Sequence, residues 1–135
     1  MTANRPRIVV TAAVVRRGNH YLVTRRPGGV HLEGFWEFPG GKCEPGEDHE
    51  SCLRREIEEE LGVDVRVGRK IFEVAHDYPD RAVELHFFDC ELLGQPVARL
   101  GQDMRWVAAA DLTSLEFPPA DAELIRILGD RGSKT

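Results

Sequence analysis

The sequence has 135 residues, 41% of them hydrophobic and 30% charged, with a formal net charge of −5 at pH 7. These values fit one globular domain spanning residues 1–135, with its core at about 8–128 and a short polar tail at 131–135, and they exclude a largely disordered chain. The acidic balance argues against a protein that coats polymeric nucleic acid, while leaving room for a small anionic substrate held by a few placed cations.

In chain order, Ile8–Val15 and Tyr21–Arg26 are β-branched or apolar runs on either side of Arg17-Gly18-Asn19, the pattern of a hairpin. The first run is interrupted by Thr11 and is too short to span a bilayer, and no basic stretch with a long apolar segment marks a signal peptide. Pro27 to Gly34 reads as a loop, Phe35–Phe38 as a short strand, and Pro39-Gly40-Gly41 as a turn. Leu53, Ile57 and Leu61 recur every fourth residue, one buried face of a helix that Gly62 stops. Val63–Ala75 and Ala82–Leu93 predict two longer strands joined through Tyr78-Pro79-Asp80-Arg81. Gly94–Gly101 is a loop, Met104–Ala108 a strand, and Ala120–Leu128 a second helix after Pro118-Pro119. The irregular alternation predicts a mixed α/β fold with a curved mixed sheet between helices. Cys43, Cys52 and Cys90 lack CxxC spacing; their odd number suits a reducing cytoplasm better than a disulfide framework, and the three alone cannot assemble a zinc site.

The first helix poses an electrostatic problem. Its last turns read Glu56-Ile57-Glu58-Glu59-Glu60-Leu61, although a helix C-terminus carries partial negative charge and favours Lys or Arg. At 3.6 residues per turn, Glu56, Glu59 and Glu60 share one stripe beside the buried face, where like charges repel. An ordinary solvated face is one reading, but it would more naturally mix lysines into the stripe. Divalent cations are the other reading, because they would relieve both penalties. Mg²⁺, with Mn²⁺ as the alternative, takes carboxylate oxygens and shares its site with substrate phosphates.

Gly41, Glu47, Arg55, Glu56, Ile57, Glu59, Glu60, Gly62 and Val63 fill every specified position of G-x5-E-x7-R-E-U-x-E-E-x-G-U, with U aliphatic. The chain thereby resembles the Nudix hydrolase family, and the resemblance implies a Nudix α/β/α sandwich. Gly41, Glu47, Arg55 and Gly62 would support the box, Glu47 and Arg55 through an ion pair. Lys42 either meets a phosphate or merely covers the surface.

The likeness extends over roughly Ile8 to Leu128. "TRRPGGVHLEGFWEFPGGK" is similar to the MutT branch, nucleoside triphosphate pyrophosphohydrolases that include 8-oxo-dGTP diphosphatases. That resemblance implies nucleotide contacts from Arg26 and His31, a site lined by Glu37, Phe38 and Gly40, and metal held by Glu56, Glu59, Glu60 and the Gly40 carbonyl. "YPDR" implicates Arg81 and "FPPAD" implicates Asp121 on the base side. Each has a plainer reading: Arg26 and Arg81 as solvated cations, Phe38 as core, Asp121 as a first-turn acid. One position departs from the branch. The loop glutamate expected six residues before Trp106 is Leu100, so the general base is left between Glu56 and Glu59, with Asp103 as the nearest other carboxylate.

The expected activity is hydrolysis of a (deoxy)nucleoside triphosphate to monophosphate and pyrophosphate, with 8-oxo-dGTP as the leading substrate and a role in DNA repair. A CTP or modified-dCTP pyrophosphohydrolase, another Nudix substrate, and a non-catalytic nucleotide sensor are the alternatives. The expected setting is cytoplasmic, as a monomer or homodimer, without nucleic acid or membrane partners.

Overall fold

A computed structural model describes residues 6–25 and 34–133. Strand β1 (Arg7–Arg17) turns through Gly18-Asn19 into β2 (His20–Arg25), the hairpin expected from the sequence. Two short strands follow, β3 (Trp36–Glu37) and β4 (Gly40–Lys42). Helix α1 (His49–Leu61) leads to the long hairpin of β5 (Val65–Tyr78) and β6 (Arg81–Leu92). After a loop come β7 (Asp103–Ala108), a 3₁₀ helix at Ala109–Ser114, a 3₁₀ turn at Pro119–Asp121, and helix α2 (Ala122–Ser133).

The seven strands form one mixed sheet with the spine β3-β2-β1-β6-β5. β1 runs parallel to β6, from Arg7 opposite Ala82 to Val15 opposite Cys90. On its other edge β1 carries β2 near the hairpin and β4 midway. β7 pairs antiparallel with β2 over its whole length. Because side chains alternate along a strand, β1 serves two cores. Ala12 and Val14 join Tyr21, Val23 and Phe87 beneath Leu124 and Leu128 of α2. Ala13 and Val15 join Leu22, Val65 and Leu92 beneath Leu53, Ile57 and Leu61 of α1. Helices therefore cover both faces of the sheet.

Two expectations change. Pro39-Gly40-Gly41 is not a turn: Gly40–Lys42 lies antiparallel along β1, with Gly41 opposite Thr11. A Cβ on Gly40 would stand 2.0 Å from the Thr11 carbonyl oxygen, so only glycine admits this approach. The cysteines also differ from expectation, since Cys43 and Cys52 form a disulfide and only Cys90 is free. Nine residues of separation hid the pairing; the loop at 44–48 folds the end of β4 back onto the first turns of α1. Among the described residues no helix is long and apolar enough to cross a membrane.

Candidate active site

Helix α1 starts with Asp48 as N-cap, its carboxylate accepting the Ser51 N–H at 2.8 Å. It ends at Gly62, whose φ of 64° is the left-handed cap conformation and whose N–H donates to the Glu58 carbonyl at 3.0 Å. The unfavourable acidic end is answered by the loop before β7. The Val97 and Arg99 N–H groups donate to the carbonyls of Leu61 and Glu60 at 2.9 and 3.0 Å. Arg99 Nη1 reaches the Glu58 carbonyl at 3.1 Å, and Gln102 Nε2 reaches the Glu60 carbonyl at 3.2 Å. The donors to Glu60 and Leu61 satisfy carbonyls that a helix end leaves open, and Arg99 places a cation where the dipole favours one. Arg99 and Gln102 lie outside the signature motif, and only their proximity in the fold reveals this role.

The carboxylates are held by Arg55. Its Nε and Nη2 donate to the two oxygens of Glu47, each at 2.9 Å, a bidentate pair. Nη2 also donates to the Lys42 carbonyl at 3.1 Å, and Nη1 donates to Glu56 at 2.8 Å and Glu59 at 3.4 Å. Glu47 further accepts the Glu44 N–H at 2.9 Å. The Arg55 guanidinium and that backbone donor hold the Glu47 carboxyl down at about 2, from an ordinary 4.5. Glu56 is shifted the other way, because burial raises its pKa against the pull of Arg55. The Gly40 N–H donates to Glu60 at 2.9 Å, joining the acidic stripe to β4.

Gly41 passes so close to the helix that an added Cβ would lie 2.0 Å from Glu56 Oε1. One guanidinium thus faces three carboxylates, with Glu60 alongside, leaving an excess of negative charge at an all-oxygen donor set. Carboxylate oxygens are the donor type that a hard divalent cation takes.

A cavity of about 290 Å³ adjoins β4, whose Gly40 and Gly41 touch Glu60 and Glu56; the glutamates of α1 themselves do not line it. Glu37, Phe38, Gly40, Gly41 and Lys42 line one part and Arg81 and Asp121 another, so seven residues singled out from the sequence meet in one hollow. Phe38 belongs equally to the core, stacked on Phe117 at 5.5 Å and edge-on to Phe87 at 6.1 Å. Asp121 is 4% exposed and sits in the 3₁₀ turn before α2 rather than in the helix proper. Arg81 lies over the Tyr78 ring, and its buried Nε has no hydrogen-bond partner among the described residues. His76 and Tyr78 also line the cavity; Tyr78 opens the "YPDR" stretch that implicated Arg81, while His76 gave no signal in the sequence. Arg26 and His31 fall outside the described residues.

Asp103 is directed elsewhere. It pairs with Arg25 across the β2–β7 ladder, while its neighbours Met104 and Trp106 pack on the α1 side. By strand alternation Asp103 faces away from the glutamates. Leu100 is exposed in the loop that caps α1 and brings no oxygen to the stripe.

Fold, stripe and cavity together define a Nudix-type hydrolase, and the NUDIX domain family model matches residues 10–126: the chain belongs to that family and is a Nudix hydrolase. Such enzymes generally use divalent metal ions and act on nucleotide substrates. The chain is 38% identical over 125 residues to an 8-oxo-dGTP diphosphatase of Haemophilus influenzae, covering 90% of each protein. It is 32% identical over 119 residues to a CTP pyrophosphohydrolase of Escherichia coli K12, covering 87% of this chain and 88% of that one. The solution structure of the MutT protein of methicillin-resistant Staphylococcus aureus 252 superposes with a TM-score of 0.80 at 31% identity, over 96% of this chain and 100% of the other.

Proposed function

We propose that this enzyme hydrolyses nucleoside triphosphates to monophosphate and pyrophosphate with Mg²⁺, acting by preference on oxidised purine nucleotides such as 8-oxo-dGTP. The observation that carries the reading is the continuity of the cavity, from Gly40 and Lys42 beside the glutamates to Arg81 and Asp121. Phosphates at the first end and a base at the second would span a nucleotide.

Glu56, Glu59, Glu60 and the Gly40 carbonyl would hold the cations. When bound, these polarise the phosphates and acidify the attacking water. Arg55 fixes the rotamers of Glu56 and Glu59, so the stripe is oriented before substrate arrives. Glu56 or Glu59 takes the water's proton; burial raises the Glu56 pKa, which strengthens that carboxylate as a base. Attack at the β-phosphorus expels the monophosphate. Lys42 meets the phosphates as a point charge. Phe38 supplies an apolar wall for the base, and Arg81, with a buried donor to satisfy, suits a base or sugar acceptor.

Asp121 supports a second reading, hydrolysis of CTP or a modified dCTP. An ionised carboxylate accepts well from the exocyclic amine of cytosine, whereas 8-oxoguanine offers both an N–H donor and the O6 acceptor and needs Asp121 protonated to serve both. The test is a kcat/KM panel of ordinary and oxidised nucleotides with parent, Asp121→Ala and Asp121→Asn, with products resolved. Asp121→Ala should cost the preferred nucleotide ~1–3 kcal/mol in kcat/KM. Asp121→Asn should favour 8-oxo-dGTP over CTP relative to the parent. An unaltered ranking in both variants would remove Asp121 from base selection.

A further inference from the structure

The reaction proposed above makes no use of sulfur, yet Cys52 lies one helical turn before Glu56 and Cys43 is bonded to it. Cys43 directly follows β4, and its N–H donates to the Val9 carbonyl at 2.8 Å. Cys52 is fully buried on α1, four residues before Glu56 and therefore on the same side of the helix. The two Cα atoms stand 5.2 Å apart, within the range a disulfide requires. The surroundings are close-fitting, with Thr11 Oγ1 3.1 Å from Cys52 Sγ.

We propose that Cys43 and Cys52 are a reversible redox modification site, a dithiol whose oxidation fastens the loop from Lys42 to Glu47 onto helix α1 while leaving the glutamate stripe intact. Two side-chain links between that loop and α1 respond differently to conditions. The first is the Glu47–Arg55 ion pair, which acid weakens. The second is the bridge, which is indifferent to acid and closes a loop of nine residues' separation. With the bridge formed, Arg55 still reaches Glu47, Glu56 and Glu59, and Gly40 still donates to Glu60, so oxidation and an ordered stripe coexist.

The burial of the two residues sets the order of events with a low-molecular-weight disulfide as oxidant. Cys43, half-buried at the loop, attacks it and expels one thiol, forming a mixed disulfide. Cys52, buried behind it, then attacks the Cys43 sulfur and expels the second thiol. Two protein S–H bonds and the oxidant's S–S bond are lost. One protein S–S bond and two small-molecule S–H bonds form, with two electrons passing to the oxidant. Cys90 is the internal contrast: burial pushes its thiol up to about 12, and it has no cysteine partner among the described residues. The inference does not depend on which nucleotide is hydrolysed.

The experiment compares the full chain reduced with dithiothreitol, oxidised with glutathione disulfide, and reduced again. The oxidised form should be lighter by two hydrogens, with a Cys43–Cys52 peptide link and Cys90 free. Metal-free Tm should rise by roughly 5–10 °C on oxidation and fall back on reduction. Turnover at saturating Mg²⁺ should be retained in both states. Cys43→Ser should keep basal turnover and abolish the redox-dependent Tm change, whereas Cys90→Ser should preserve it. The proposal is overturned by absence of the link in the oxidised protein, by a link that dithiothreitol cannot open in the folded state, by an unchanged Tm, or by loss of turnover on bridging.

Discussion

Helices α1 and α2 cover opposite faces of one sheet, and their charges follow different rules. In α2, Glu123 occupies the first turn and Arg131 the last, and Arg126 stands between Glu123 at 3.5 Å and Asp130 at 3.6 Å. That arrangement complements the dipole and alternates sign along the surface, with each exposed pair contributing ~0.3–0.5 kcal/mol. α1 has no basic residue in its last turn and carries Glu58, Glu59 and Glu60 there instead. Its end is maintained from outside, by N–H groups of Val97 and Arg99 and the side chains of Arg99 and Gln102, and its stripe is oriented by Arg55. A helix that gathers acids at its unfavourable end thus depends on donors from outside itself. α2 shows what the same chain does with a helix that only has to pack.

The largest expected difference between the helices is catalytic. Glu56→Gln or Glu60→Gln should lower kcat by ~10²-fold or more with little change in Tm, whereas Glu123→Gln should leave turnover unaltered. Equal, small effects in steady-state pyrophosphate release would erase the distinction. Next comes the external support of α1. Arg99→Ala removes a donor from the Glu58 carbonyl and should cost about 0.5–1.5 kcal/mol in urea unfolding, more than Arg126→Ala on α2.

A smaller effect is the pH dependence of the Glu47–Arg55 pair. The pair depresses the Glu47 pKa from 4.5 to about 2, so its contribution is fully present above pH 4.5 and disappears as pH falls towards 2. The Tm gap between parent and Glu47→Gln should therefore be widest above pH 4.5 and close on acidification. The smallest effect belongs to Asp103. Paired with Arg25 on the far side of β7, it should be nearly silent in kcat when changed to Asn; a ~10²-fold loss would return it to the list of candidate bases.

How well each part could be read from the sequence follows from how local its determinants are. The i, i+4 spacing of Leu53, Ile57 and Leu61, the Gly62 stop and the fixed spacing of the box all lie within one segment, so α1 and its stripe were legible. The paired strand runs about Gly18-Asn19 and Pro79-Asp80 were legible for the same reason. Gly40-Gly41 misled because glycine pairs usually mark turns, while here they mark a strand pressed against β1 and Glu56. The Cys43–Cys52 bridge, the cavity wall at His76, and the capping by Arg99 and Gln102 depend on segments brought together only by folding. The 3₁₀ helix at Ala109–Ser114 is too short to carry a periodic signal.

The central claim is that the α1 stripe is a divalent-cation site, and thermal denaturation of nucleotide-free protein during Mg²⁺ titration tests it most directly. Preferential binding to the folded state adds ~2.7 kcal/mol at a hundredfold excess over Kd. The parent and Glu123→Gln should rise in Tm along the same saturating curve, while Glu56→Gln should lose most of that rise. A Mg²⁺-induced shift in Glu56→Gln as large as in the parent, or no shift in the parent, would contradict the account.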